Sequence, residues 1–236
     1  MSVLLIDAGN TRLKWQWRTV NGVRDTGSAG YEQELDDLPD MQMIDHVLVA
    51  SVGEHLSLQQ QLRQRYGDKL VWFGQPLLAF GDFKHCYAKP ERLGVDRWLA
   101  MLGARSHFGG SVLVADAGTA FTIDLLNEDG QHQGGFIVPG LAMAQNALFQ
   151  NTGRVRPFQD ERSASVIAAG QDTVSCVSAG VQRQLLALLQ SVMNEYKDHR
   201  VFISGGDGAW LAQQTNTGFY PDLVFDGMEF LCAGYF

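Results

Sequence analysis

Cysteine is scarce: Cys86, Cys176 and Cys232 are the only three in 236 residues. So few and so scattered, they exclude a disulfide framework. No CxxC pair or Cys/His ligand spacing accompanies them, which argues against a zinc site. Reduced thiols in the cytoplasm are the simple reading. Long hydrophobic runs are also missing. The apolar stretch Val3 to Ile6 ends at Asp7, too short for a signal peptide, and no segment approaches a membrane span. Basic residues are outnumbered, 18 against 26 acidic, giving a net charge of −8 and a pI near 5.1. An acidic surface argues against nonspecific nucleic-acid binding, since phosphate contacts need basic residues. A small anionic ligand needs only a local donor cluster and stays compatible. What is present, 45% hydrophobic and 19% charged residues, is ordinary for a globular chain.

The chain repeats itself. VLLIDAGNT at 3–11 is matched by VLVADAGTA at 112–120, an offset of 109 residues. Each copy is a short apolar run, Asp-Ala-Gly, small polar residues, and a second strand-like segment (RLKWQW at 12–17, FTIDLL at 121–126). The unit reads as strand, tight turn, strand. Two copies half a chain apart predict two similar domains, 1–111 and 112–236, facing each other across a cleft.

Strands and helices alternate elsewhere. Strands are expected at 46–52, 69–73, 131–140, 201–206 and 222–225. Helices are expected at 55–67, 91–109, 141–151 and 172–196, the last with Leu185, Leu186, Leu188 and Leu189 marking an apolar face. This mixture gives an α/β fold class. Residues 151–165 are polar and without periodicity, and read as a surface loop.

Four Asp- and Gly-rich segments could carry chemistry. In Asp7-Ala8-Gly9-Asn10-Thr11, Gly9 permits close ligand approach and successive N–H groups can form an anion nest. Thr11 adds a hydroxyl, Lys14 a positive charge, and Asp7 an oxygen ligand for hydrated Mg²⁺. The same residues also favour a plain hairpin turn. Asp116-Ala117-Gly118-Thr119-Ala120, with Thr122 and Asp124 following, repeats the pattern; for Asp124 a surface carboxylate is an equal reading. In Leu93-Gly94-Val95-Asp96-Arg97, Asp96 reads either as an N-terminal helix residue or as a general base beside an anion-binding guanidinium. Ser204-Gly205-Gly206-Asp207-Gly208 lies between a strand and a helix, a place for backbone approach to a phosphate or for a simple connection. Gly134-Gly135 and Pro139-Gly140 read as turn chemistry. The six histidines have surface or supporting roles by default, and the five tryptophans read as core or interface residues.

The order DAGNTRLK, YAKPERLGVDRW, DAGTAFTID, GGFIVPGL, SGGDG resembles type III pantothenate kinases, within the superfamily of acetate and sugar kinases, Hsp70 and actin. The resemblance runs from Asp7 to about Gly208. It implies two ribonuclease-H-like domains and ATP-dependent phosphorylation of pantothenate to 4′-phosphopantothenate, the first committed step of coenzyme A synthesis. It implies ATP contacts along Asp7, Ala8, Gly9, Asn10, Thr11, Arg12, Leu13 and Lys14, with a further one at Thr119. A monovalent cation, K⁺ or NH₄⁺, would sit at Asp116, although Asp116 could serve Mg²⁺ instead. Pantothenate would contact Tyr87, Gly94, Val95, Asp96, Arg97 and Thr173, with Asp96 as the catalytic proton acceptor. The resemblance further implies a homodimer with the pantothenate site at the interface, the 172–196 helix being a candidate interface element. Ala142, Ala144 and Gln145, and the segment RVRPF (154–158), which lacks the Leu-Pro common after the 141–151 helix, depart from the family pattern outside the catalytic motifs. The alternatives are a noncatalytic regulator like the Bvg accessory factor, and another small-molecule kinase or a phosphatase of the superfamily. Intact Asp7, Asp96, Arg97 and Asp116 argue against the first.

Overall fold

The computed structural model describes residues 2–9, 11–31, 35–156 and 168–235, with side chains to Cys232. The strands, in chain order, are β1 (Ser2–Ala8), β2 (Leu13–Thr19), β3 (Gly22–Ala29), β4 (His46–Ser51), β5 (Leu70–Phe73), β6 (Ala79–Phe80), β7 (Phe83–Lys84), β8 (Val112–Ala117), β9 (Ala120–Leu126), β10 (His132–Pro139) and β11 (Arg200–Ser204). The α-helices are α1 (Leu56–Tyr66), α2 (Val95–His107), α3 (Leu141–Asn151), α4 (Thr173–Glu195), α5 (Gly208–Thr215) and α6 (Leu223–Tyr235). The fold class is α/β, as expected.

The chain forms two compact units: Met1–Gly109 with Asp129–His132 and Asp222–Phe236, and Gly110–Glu128 with Gln133–Pro221. The first holds a sheet of order β3-β2-β1-β4-β5 and the second a sheet of order β10-β9-β8-β11. The duplication read from the sequence is visible in the pairing. β1 pairs antiparallel with β2 and parallel with β4, and β8 pairs antiparallel with β9 and parallel with β11. An apolar run such as VLLI suits a strand covered on both faces. Leu4, Ile6 and Ala8 bury on one face with Val47, Val49 and Leu58, Leu62 and Tyr66 of α1. In the second unit, Leu113, Ala115, Phe121 and Ile123 bury with Val181, Leu185, Leu189 and Val192, the i, i+4, i+8, i+11 stripe of α4.

The structure differs from the sequence reading at the C-terminus. The segment 222–225, expected to be a strand, opens helix α6. Three apolar residues do not distinguish a strand from a buried helix; the longer pattern does, with Leu223, Met228, Leu231 and Cys232 all buried. Helix α6 packs on α2 and β1, so residues 222–236 join the first unit and not residues 112–221. Strand β3 was not foreseen, because it is polar and mostly exposed, an edge partner of β2. Of the expected loop at 151–165, residues 157–165 lie outside the described residues.

Candidate active site

The first Asp-Ala-Gly turn closes the β1–β2 hairpin. The Gly9 N–H donates to the Arg12 carbonyl at 3.2 Å, and Asp7 stands directly across from Lys14 in the register. Opposed residues share a face, with Cβ atoms about 4.5–5.5 Å apart. Asp7 and Lys14 therefore project together beside a turn of backbone amides. Ala8 and Leu13 are buried anchors of the hairpin, while Thr11, Arg12 and Lys14 are exposed. Asn10 lies outside the described residues.

The second turn has the same construction. The Gly118 N–H donates to the Ala120 carbonyl at 3.0 Å, and Asp116 is registered opposite Thr122. Thr119 is exposed, and its carbonyl accepts from the Gly140 N–H at 3.0 Å. A Cβ on Gly140 would overlap the Gly118 carbonyl, so glycine is what lets the start of α3 reach this turn. Gly205 has φ +91°, and a Cβ there would strike the Asp116 carboxylate and the backbone of Ala117. The Ser-Gly-Gly-Asp segment thus lies against Asp116, and the Asp207 N–H donates to the Ala117 carbonyl at 2.9 Å. Burial pushes the Asp207 carboxyl up from its ordinary range. Gly135 is not a turn residue: it sits inside β10, against the Ile123 carbonyl and Asp124. Asp124, equally read as a surface carboxylate, is 1% exposed.

The third segment starts a helix. Gly94 is the N-cap of α2 with φ −57°, and Asp96 lies in its first turn, where negative charge is favourable. The Arg97 N–H donates to Asp96 Oδ1 at 2.8 Å, and a Cβ on Gly94 would come within 2.5 Å of that oxygen. Leu93 and Val95 are buried on either side, which fixes the helix start. The Arg97 guanidinium is buried and donates from Nη1 to the Tyr87 hydroxyl at 3.1 Å, with its centre 5.9 Å from the Tyr87 ring. Tyr87, Gly94, Asp96 and Arg97 therefore form one cluster.

Two histidines that the sequence left without a role stand behind it. His132, from the segment that rejoins the first unit, lies parallel to Tyr87 with ring centroids 6.1 Å apart, and its Nδ1 is 3.5 Å from Cys86 Sγ. His85 and His132 are 3% and 4% exposed. Of the surface or supporting roles expected by default, this buried pair does not take the surface one. Burial pulls the His85 imidazole below the usual histidine range, and the neighbouring His132 pulls it further; the Tyr87 backbone opposes both. No sequence motif signals this pair, because 85 and 132 meet only through the tertiary fold.

Thr173 opens α4 inside a capping box: Asp172 accepts from the Ser175 N–H at 2.7 Å and the Asp172 N–H donates to Ser175 Oγ at 3.2 Å. Such reciprocal caps fix the first turn of a helix. Among the described residues no group of three or more His, Cys, Asp or Glu could hold a metal unaided, and no helix is long and apolar enough to cross a membrane. Isolated carboxylates suit Mg²⁺ held mainly by a substrate's phosphates.

The family model for type III pantothenate kinase matches residues 3–195. The type III pantothenate kinase of Dichelobacter nodosus is 35% identical over 240 residues, covering 95% of both chains. A Baf family protein from Campylobacter jejuni has a similar structure, with a TM-score of 0.66 at 24% identity over 96% of this chain and 95% of that one. The activator of 2-hydroxyisocaproyl-CoA dehydratase from Clostridium difficile, solved with bound ADPNP, follows at 0.52 and 13%, covering 100% and 97%. These likenesses show the fold alone, α/β with two ribonuclease-H-like lobes.

Proposed function

Because the chain belongs to the type III pantothenate kinase family, we propose that it transfers the γ-phosphoryl group of ATP to the primary hydroxyl of pantothenate, releasing ADP and 4′-phosphopantothenate. Within the fold, the observation that carries this reading is the Tyr87–Asp96–Arg97 cluster at the start of α2. It offers a carboxylate for a hydroxyl proton beside a guanidinium for an anionic group.

Asp96 accepts the proton of the attacking hydroxyl, a role that typically contributes about 10²–10⁴-fold. The Arg97 amide on Asp96 Oδ1 keeps the carboxylate oriented. Arg97 binds the pantothenate carboxylate, and its bond to Tyr87 keeps the guanidinium plane in register. Gly94 and Val95 supply the close backbone wall, and Thr173 a further substrate contact. Phosphoryl transfer asks little covalent chemistry of the protein, so positioning and charge neutralisation supply the rest. The segment from Asp7 to Lys14, with Ala8, Gly9, Thr11, Arg12 and Leu13, holds the phosphates, with the Lys14 ammonium beside them and Thr119 as a further ATP contact.

Asp7, with the nucleotide's own phosphates, fits Mg²⁺, which when bound neutralises phosphate charge. Asp116 is assigned to a monovalent cation, K⁺ or NH₄⁺, because its carboxylate offers oxygen donors of the kind such cations take, and Gly205 packs directly against it. A cytoplasmic homodimer belongs to the same reading. It is supported by α3, whose apolar sequence buries no residue, and by the adjoining exposed Phe136, Ile137, Met143 and Leu148. Relatives 35% and 32% identical are named type III pantothenate kinase, and the regulatory alternative is not better supported.

The test is direct: purified protein with ATP, Mg²⁺, K⁺ and pantothenate, following ADP release. Turnover dependent on pantothenate is expected, and its absence would overturn the reading.

A further inference from the structure

The first Asp-Ala-Gly turn is held by a residue that none of the motifs contains. Tyr31 follows β3, the edge strand of the first sheet, and its hydroxyl donates a short hydrogen bond to the Gly9 carbonyl. The Tyr31 ring stacks on His55, the residue preceding α1, with centroids 4.2 Å apart and planes 13° apart. Gly53 closes on the same imidazole: a Cβ there would lie 3.3 Å from its Nε2. The tyrosine is thus fixed at both ends, by its ring on His55 and by its hydroxyl on the turn.

An anion nest works only when its amides face the ligand and its carbonyls face away. The Gly9 carbonyl belongs to the part of the turn where one rotated peptide would present oxygen to a phosphate. A phenolic donor on that carbonyl fixes its direction.

We propose that Tyr31 is a positioning residue for nucleotide binding, which orients the Gly9 peptide so that the turn presents N–H groups to the polyphosphate, with His55 fixing the tyrosine ring. This rests on the reading of the Asp7–Lys14 turn as the ATP-binding element. It requires no contact between Tyr31 and the nucleotide.

Tyr31→Phe deletes one oxygen and keeps the stack. Losing a single net hydrogen bond corresponds to about a 2- to 12-fold change in an equilibrium constant. The KM for ATP, and the dissociation constant for a non-hydrolysable ATP analogue with Mg²⁺ measured by calorimetry, should rise by that factor. The KM for pantothenate should stay at its wild-type value, and the melting temperature should fall by no more than the few degrees that one hydrogen bond is worth. His55→Leu, which removes the stacking face, should shift the nucleotide constants in the same direction. Unchanged nucleotide affinity in Tyr31→Phe overturns the proposal. So does a parallel loss of both KM values and of thermal stability, which marks a general structural role. The calorimetric arm does not depend on turnover. If the wild type binds the analogue but does not phosphorylate pantothenate, the kinase reading fails while weakened binding in Tyr31→Phe still upholds this assignment. A wild type that binds no nucleotide overturns both.

Discussion

Gly103 of α2 and Gly227 of α6 occupy each other's van der Waals space: a Cβ on either would lie 3.1 Å from the other's amide nitrogen. Each would also overlap a carbonyl, that of Leu223 or that of Leu99. The two helices touch backbone to backbone, and α2 carries Asp96 and Arg97 at its start. Alanine at either position forces the helices apart, at a cost of about 1–3 kcal/mol or more. Gly103→Ala and Gly227→Ala should each lower the melting temperature. The double variant should cost less than the sum of the singles, since neighbouring sites do not add. Thermal denaturation followed by circular dichroism checks both statements.

Asp96→Asn keeps the size of the side chain and an oxygen for the Arg97 amide, but removes the proton acceptor. Its kcat should fall about 10²–10⁴-fold while the fold persists. Steady-state kinetics beside a melting curve decides the matter. Full activity would remove Asp96 from the general-base role.

The exposed apolar residues of β10 and α3 predict that Ile137→Lys or Met143→Lys weakens the dimer. Light scattering should give twice the 26.0 kDa chain mass for the wild type and a shift toward the monomer in these variants. A monomeric wild type at working concentration would end the dimer proposal.

Buried neutral histidines make stability depend on pH. His85 and His199 are both held below the usual value of 6.5, chiefly by burial. Below that value the unfolded chain binds protons that the folded chain resists. Stability is therefore complete above pH 6.5 and declines as pH falls toward the folded-state values, by at most about 1.4 kcal/mol per pH unit for each group. The raised Asp207 carboxyl acts in the opposite sense, at the more acidic end. The melting temperature should fall between pH 7 and pH 5, and His85→Leu should flatten that slope. An unchanged slope would show that His85 protonates as readily folded as unfolded.

Gly205→Ala introduces a side chain at φ +91° and against Asp116. Such strained positions cost about 1–3 kcal/mol. The melting temperature should fall by roughly 2–12 °C, scaling as expected for a chain of this size. Replacing K⁺ by Na⁺ should lower the rate of the wild type. An equal rate in both salts would take the cation role away from Asp116.

Much of this was legible in the sequence, for identifiable reasons. The two Asp-Ala-Gly turns stood out because glycine and the cross-strand carboxylate are local requirements of a hairpin, written twice 109 residues apart. The α4 stripe was legible because its helical period runs over six turns. What escaped depends on contacts between distant residues. The strand reading of 222–225 failed because a four-residue window cannot show that Leu223 and Gly227 lie one turn apart against α2. Asp124 is buried because Gly135 brings β10 close beside it. Tyr31 and His55 carry no motif, and their relation to Gly9 exists only once β3 and α1 are in place.

The first unit is written in three pieces, residues 1–109, 129–132 and 222–236. During synthesis the second unit is complete before the first, although its own chain begins later. From Gly109 to Asp222 the ribosome needs roughly 6–22 s at ordinary elongation rates of about 5–20 residues per second. For that interval α2 exists without the helix that meets Gly103. A nascent chain stalled or truncated before Leu223 keeps the Asp96–Arg97 motif in its sequence but leaves the inner face of α2 uncovered. Helix α2 therefore gains its α6 partner only once residues 223–235 have been made.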